Sequence, residues 1–125
     1  MQLRSYMSAK IHKAVVTRAD LNYVGSITID KALLEKTGLQ KNEKVLVVSN
    51  TSGARLETYI IEGEHGSGAI EINGAAAHLI KPGEEIIIIA FTLATEPLEP
   101  KAVLVNKKNE FVQYLDEKAG QAVYS

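Results

Sequence analysis

The sequence predicts a mainly β protein, a small closed β-barrel, on three observations. About seven short apolar or alternating segments are separated by turn signals, which is typical of small barrels. Only one segment has helical periodicity, and 125 residues leave room for one modest core. Closing the sheet would remove the long unpaired edges that such strands would otherwise expose. We therefore expect a single domain over residues 1–125.

The first element is a predicted strand over residues 3–17, where polar and apolar residues alternate loosely. Period-2 geometry puts Ile11 and Val15 on one face and Lys10 and His12 on the other.

The next elements are a turn or single helical turn over residues 18–22 and a short strand over residues 27–29. Asp30 has the position of a helix N-cap, and Gly38 that of a C-terminal stop. The sequence thus predicts a short helix over residues 31–37.

The later strands are apolar or β-branched runs bounded by turn residues. They are predicted over residues 45–50, 55–62, 69–72, 85–93, 101–105 and 110–115. The segment 85–93 is nearly all apolar, which predicts a strand buried on both faces. Residues 75–78 are small and suggest one helical turn, and the polar tail from Asp116 is expected to fray.

The composition excludes several classes of function. A net charge of −1 gives no basic excess for nucleic acid. The absence of cysteine excludes disulfides, thiolate zinc sites and a cysteine nucleophile, and is typical of a cytoplasmic protein. The three histidines lack metal-ligand spacing. No signal peptide is expected, and the longest apolar run, Ile86–Leu93, is too short for a membrane helix, which needs ~20 residues.

The dipeptide Gly25-Ser26 could generate a cofactor from the chain itself. A serine hydroxyl that attacks the preceding carbonyl produces an N-to-O acyl shift, which requires a strained backbone and a stabilised oxyanion. A preceding glycine leaves that carbonyl uncrowded. The pattern is weak alone, since the chain also contains Gly66-Ser67, which is typical of a flexible turn.

Other polar residues could contribute to a site, although each is also common on a solvated strand or in a turn. Arg55 and Tyr59 share a strand face by even spacing, and Thr58 points the opposite way. The segment 73–76 offers side-chain and backbone donors on a compact turn.

Together these residues resemble the aspartate 1-decarboxylase family, the pyruvoyl enzymes that make β-alanine for pantothenate synthesis. The resemblance covers about residues 7–92 and is weak beyond about Thr95. It rests on five blocks in the family's order and spacing: Lys10–His12, Thr17–Ser26, Ile29–Asp30, Asn50–Tyr59 and Ile72–His78.

The resemblance implies a double-psi β-barrel, a homotetramer and self-cleavage between Gly25 and Ser26. Cleavage would give a β-chain, residues 1–25, and an α-chain, residues 26–125, headed by a pyruvoyl group made from Ser26. No metal and no pyridoxal phosphate are implied. Some relatives need an acetyltransferase-like maturation factor.

The resemblance also implies a role for each matching residue. Thr58 would stabilise the oxyanion during cleavage, and Tyr59 would protonate the substrate after L-aspartate has formed a Schiff base and lost CO₂. The substrate-binding residues would be Arg55, Lys10, Asn73, Gly74, Ala75 and Ala76, with His12 and Tyr23 in support. Because Thr58 and Tyr59 are adjacent on a strand, they would share a site through a bulge or, as we favour, between subunits.

Two other hypotheses remain. A non-catalytic double-psi barrel serving as a binding module would have the same strand pattern, but it gives no reason for Ser26, Thr58, Arg55 and Tyr59 to occur together. An enzyme that uses Lys10 for a Schiff base or binds pyridoxal phosphate would need a phosphate-binding loop, which the sequence lacks.

Overall fold

The computed structural model describes residues 1–123 and confirms a mainly β fold with one α-helix in that range. The strands are β1 (Arg4–Val15), β2 (Arg18–Asp20), β3 (Ser26–Asp30), β4 (Lys44–Ser49), β5 (Arg55–Gly63), β6 (Ile70–Asn73), β7 (Glu85–Ala94), β8 (Lys101–Val105) and β9 (Phe111–Leu115). The α-helix is α1 (Lys31–Thr37), and a short 3-10 helix spans Gly74–His78.

The strands form one nine-stranded sheet in the order β2-β6-β3-β5-β4-β7-β1-β8-β9. Three neighbouring pairs are parallel: β1 with β8, β2 with β6, and β3 with β5. The sheet is open, with β2 and β9 at its edges, whereas the sequence predicts six or seven strands in a closed barrel.

The chain itself connects distant parts of this strand order. β1 continues through Val16 and Thr17 directly into β2, which lies at the far edge. The Val16 amide donates to the Glu84 carbonyl at 2.9 Å, and the Thr17 amide donates to the Ile70 carbonyl at 2.8 Å. The sheet therefore curls around a single apolar cluster that includes Ile11, Ile27, Ile60, Ile72 and Ile88.

The helix α1 is confirmed with its predicted bounds and caps. The Asp30 carboxylate accepts from the Ala32 amide at 2.8 Å, and Gly38 adopts the left-handed conformation at the C-terminus. Asp30 also accepts from the Gly66 and Gly68 amides, each at 2.8 Å. One carboxylate thus fixes both the start of the helix and the loop that follows β5.

Three local predictions are wrong. Residues 18–20 form a strand, because pairing with β6 supplies backbone hydrogen bonds that the local sequence does not reveal. In β1, a register shift after Ile11, with Lys13 at φ 67°, turns Ala14 into the core in place of Val15. The strand β7 is buried only in its first part, since its outer residues 91–93 are exposed.

Two further findings concern the described residues alone. Within residues 1–123, no helix is long and apolar enough to cross a membrane. Over the same range, no group of three or more His, Cys, Asp or Glu side chains could hold a metal ion.

Candidate functional site

A cavity of about 470 Å³, here called the Ser26 cavity, opens at the start of β3. Strand pairing creates it: β6 places Asn73 opposite Ser26, and parallel pairing with β5 begins at the neighbouring pair Ile27 and Ile60. Its lining residues are Gly25, Ser26, Leu56, Glu57, Thr58, Tyr59, Asn73, Ala75, Ala76 and Leu79. Seven of these were singled out from the sequence, and Leu56, Glu57 and Leu79 were not.

Ser26 is held by two hydrogen bonds inside this cavity. It is 1% exposed, and its Oγ donates to the Val24 carbonyl at 2.9 Å. The Asn73 Nδ2 donates to Ser26 Oγ at 3.0 Å and also to Thr28 Oγ1 at 3.0 Å. Since the serine hydroxyl has one proton and gives it to Val24, the Asn73 carboxamide must present its nitrogen to Ser26.

Gly74 packs directly against the peptide that precedes Ser26. Its φ is +72°, and a Cβ added there would lie 2.7 Å from Gly25 Cα and 3.0 Å from Gly25 N. Only glycine fits so close an approach in this conformation. On the side-chain side of Gly25 itself there is open space, since an added Cβ would meet nothing within 4 Å.

Thr58 and Tyr59 line the same cavity within one chain. Side-chain exposure alternates along β5, and its pairing with β4 is regular from Lys44 and Tyr59 to Val48 and Arg55. A bulge is therefore absent from this pairing. Four consecutive residues, Leu56 to Tyr59, line the cavity, so it reaches both side-chain rows of the strand.

Arg55 lies outside the Ser26 cavity. It is exposed and lines a neighbouring cavity of about 610 Å³, here called the Arg55 cavity, with Lys44 and Phe91 among its other residues. Leu56 and Glu57 line both cavities. Arg55 and Tyr59 are four residues apart on β5, which separates their Cα atoms by roughly 13 Å.

Lys10 and His12 also lie away from the residues that line the Ser26 cavity. Lys10 Nζ forms an ion pair with Glu117 Oε2 at 2.7 Å. His12 Nδ1 is buried and has no hydrogen-bond partner among residues 1–123. Burial and then the charge of Lys10 lower the pKa of His12, against an opposing effect of Glu117, so the imidazole is neutral near pH 7.

Tyr23 and Thr28 line a second cavity next to the Ser26 cavity. This cavity is polar, has a volume of about 320 Å³ and shares Asn73 with the Ser26 cavity. Thr28 was not singled out from the sequence. A signal for it was available, because residues 26 and 28 of one strand point to the same side.

Comparisons with known proteins agree on one family. The model of the family described as "Aspartate decarboxylase" matches residues 1–112. This match extends the resemblance beyond residues 7–92.

The relatives are of nearly the same length as this chain. The aspartate 1-decarboxylase of Bacillus pumilus (strain SAFR-032) is 50% identical over 124 residues, covering 96% of this chain and 98% of the relative. That of Bacillus cereus (strain B4264) is 51% identical over 122 residues, covering 94% and 96%. That of Bacillus thuringiensis (strain Al Hakam) is 50% identical with the same coverage of 94% and 96%. These matches show that the chain belongs to the aspartate decarboxylase family of enzymes.

Proposed function

We propose that this chain cleaves itself between Gly25 and Ser26 and then decarboxylates L-aspartate to β-alanine, for pantothenate and coenzyme A synthesis. The observation that carries the proposal is the environment of Ser26. Its hydroxyl is buried at a strand start, fixed by Val24 and Asn73, and preceded by a glycine against which Gly74 packs. The family match supports the same reaction.

Self-cleavage is an N-to-O acyl shift followed by elimination. Ser26 Oγ attacks the Gly25 carbonyl carbon, the C–N bond breaks, and an ester replaces the amide. Elimination then releases the Gly25 carboxylate and leaves a dehydroalanine at residue 26. Hydrolysis of this residue consumes one water and releases ammonia, which leaves the pyruvoyl group.

Thr58 is the residue proposed to stabilise the oxyanion that forms during the acyl shift. Its position supports this role, because Thr58 and Gly25 line the same cavity. The proposal is also supported by the tight packing of Gly74 on Gly25, which restricts the peptide to one geometry.

The Ser26 cavity suits a pyruvoyl group at residue 26. The position is buried beside the Asn73 carboxamide, and it opens into a space lined by small residues such as Ala75 and Ala76. A pyruvoyl group at this position would supply the electron sink that decarboxylation of an amino acid requires. Tyr59, 38% exposed in the same cavity, is proposed to deliver a proton to the α-carbon.

Arg55 and Lys10 are proposed to bind the substrate carboxylates, and Asn73 with the backbone of residues 74–76 to orient the bound molecule. A guanidinium binds a carboxylate in bidentate fashion, and an ammonium adds a second charge. Because neither cation lines the Ser26 cavity of its own chain, we infer that active sites form between subunits of a homotetramer. His12 and Tyr23 are proposed to support these residues.

We also infer that the curled sheet corresponds to the double-psi barrel of the family. Its three parallel pairs and the direct passage of β1 into β2 support this. The whole chain would then be one domain, with residues 1–25 as β-chain and 26–125 as α-chain.

Denaturing mass spectrometry of the purified protein tests the proposal. We expect two fragments that separate before Ser26 and whose summed mass equals the intact chain plus one water minus one ammonia. The larger fragment should react with hydrazines, and the protein should convert aspartate to β-alanine.

Two serine variants provide the matched comparison. Ser26→Ala should remain intact and make no β-alanine, whereas Ser67→Ala, in the exposed turn after Gly66, should cleave normally. A folded wild-type chain that stays intact after long incubation would instead favour the non-catalytic binding module.

A further inference from the structure

We infer that Thr28 is a positioning residue for self-cleavage: its hydroxyl holds the Asn73 carboxamide so that the second N–H of that group reaches Ser26. This inference rests on the proposed cleavage and adds to it a residue outside the Ser26 cavity. Neither the resemblance nor the chemistry of the scissile dipeptide assigns a role to Thr28.

The geometry places three buried polar groups in a row. Ser26 and Thr28 lie two residues apart on β3, so both side chains point to the same side. Asn73, paired with Ser26 across the β3–β6 ladder, lies 3.0 Å from each hydroxyl oxygen through the same nitrogen. Their exposures are 1% for Ser26, 8% for Thr28 and 2% for Asn73, so all three groups are largely shielded from bulk solvent.

The two N–H bonds of Asn73 therefore divide between two acceptors. If the Thr28 oxygen is removed, one buried N–H loses its acceptor, which is unfavourable in a water-poor site. The carboxamide can respond by rotating, which would turn its oxygen towards Ser26. The serine hydroxyl would then donate to Asn73 instead of Val24, and Oγ would lose the N–H that fixes its position before it attacks the Gly25 carbonyl.

Packing alone does not require a hydroxyl at this position. The methyl group of Thr28 occupies the space over Gly63, since a Cβ added there would lie 3.1 Å from Thr28 Cγ2. Valine has the same branched shape and the same strand preference. A Thr28→Val variant thus keeps this methyl group and replaces the hydroxyl with a second methyl group.

The test is a time course of cleavage by denaturing mass spectrometry on freshly purified wild type, Thr28→Val and Thr28→Ser. We expect Thr28→Val to cleave roughly tenfold more slowly or worse, as for loss of one buried hydrogen bond, and Thr28→Ser to stay near the wild-type rate. Thr37→Val is the matched control, because Thr37 is likewise a buried threonine. Its hydroxyl donates to the Leu33 carbonyl, away from the site. Its cleavage rate should not change.

A double-mutant cycle separates positioning from general destabilisation. In an Asn73→Ala background, Thr28→Val should slow cleavage no further, because its effect passes through Asn73. Equal additional slowing in both backgrounds would overturn the inference.

A second pair covers the case in which Thr28→Val does not fold. Thr28→Ser and Thr28→Ala both lack the methyl group and differ in the hydroxyl, so Ser should cleave faster than Ala. If wild type cleaves and the hydroxyl makes no difference in any folded pair, Thr28 has no positioning role. If wild type itself does not cleave, the proposed function fails instead.

Discussion

The Ser26 cavity is assembled by contacts within one chain, whereas the cationic residues Arg55 and Lys10 lie outside it. Ser26 and Asn73 are buried and bonded to each other within the chain. Arg55 is exposed at a neighbouring cavity, and Lys10 is paired with Glu117 near the C-terminus. The groups that would act on the chain's own peptide are thus fixed by its own folding. Those that would bind a separate diacid lie outside that cavity, and a second copy of the chain would bring them to it.

A variant of Tyr59 tests whether cleavage and turnover depend on different residues. Tyr59 lines the Ser26 cavity, but it has no proposed part in cleavage. We expect Tyr59→Phe to cleave normally and to lose about 10²- to 10⁴-fold in kcat, the usual contribution of a general acid. Fragment masses and β-alanine formation measure the two effects separately. Near-normal turnover would remove the proton-donor role, and failure to cleave would assign Tyr59 to processing.

Arg55 tests whether the cationic residues act across subunits. We expect Arg55→Ala to cleave at the wild-type rate and to lose roughly 10- to 100-fold in kcat/KM, as for hydrogen bonds to a charged group.

Mixing an impaired chain with an inactive chain sharpens this test. Arg55→Ala retains the cleavage site, and Ser26→Ala retains the guanidinium, so assemblies containing both should be more active than Arg55→Ala alone if Arg55 serves a neighbouring subunit. The control mixture is Arg55→Ala with the double variant Ser26→Ala/Arg55→Ala, which should show only the residual activity of Arg55→Ala. Equal activity of the two mixtures would show that Arg55 acts within its own chain.

Gly74 tests how strictly one chain fixes the scissile peptide. A Cβ there would clash with Gly25, so we expect Gly74→Ala to cost about 1–3 kcal/mol of stability and to slow cleavage about tenfold. Gly53→Ala is the control, since Gly53 also has a positive φ of +79° but no atom within 4 Å of an added Cβ. Thermal melts measure the loss of stability, and cleavage rates measure the effect on the scissile peptide. Equal cleavage by both variants would show that the close contact is dispensable.

Glu117 tests the Lys10 side of the comparison and has the smallest expected effect. Exposed ion pairs contribute about 0.2–1 kcal/mol, so releasing Lys10 by Glu117→Gln should lower KM for aspartate by at most about fivefold. Glu96→Gln is the control, because it also removes one negative charge but from a residue that is not paired with Lys10. A higher KM in Glu117→Gln would show that Glu117 assists binding rather than competing with it.

Local signals were sufficient for parts of the fold that are determined locally. Asp30 and Gly38 mark the ends of α1, and their cap chemistry acts within a few residues. The strand β2 could not be predicted, because its conformation depends on β6, more than fifty residues later in the chain. The shift near Lys13 was missed for a similar reason, since it depends on the pairing of β1 with β7.

The candidate site was likewise predicted only in part. The resemblance supplied seven of the ten residues that line the Ser26 cavity, whereas composition and spacing alone left each of them ambiguous. Sequence reasoning did not separate Arg55 from Tyr59, because even spacing predicts a shared face and gives no information on which cavity each residue reaches. Thr28 was missed because its contact with Asn73 depends on the pairing of β3 with β6.

The interleaving of β1 among later strands has a consequence for a cut chain. A break before Ser26 would leave β1 and β2 on one fragment, yet β1 pairs with β7 and β8, and β2 pairs with β6. The two pieces would therefore co-purify as a non-covalent complex. Their unfolding would become a dissociation, so the melting temperature of the mature protein should rise with protein concentration even where each assembly holds a single copy of each piece.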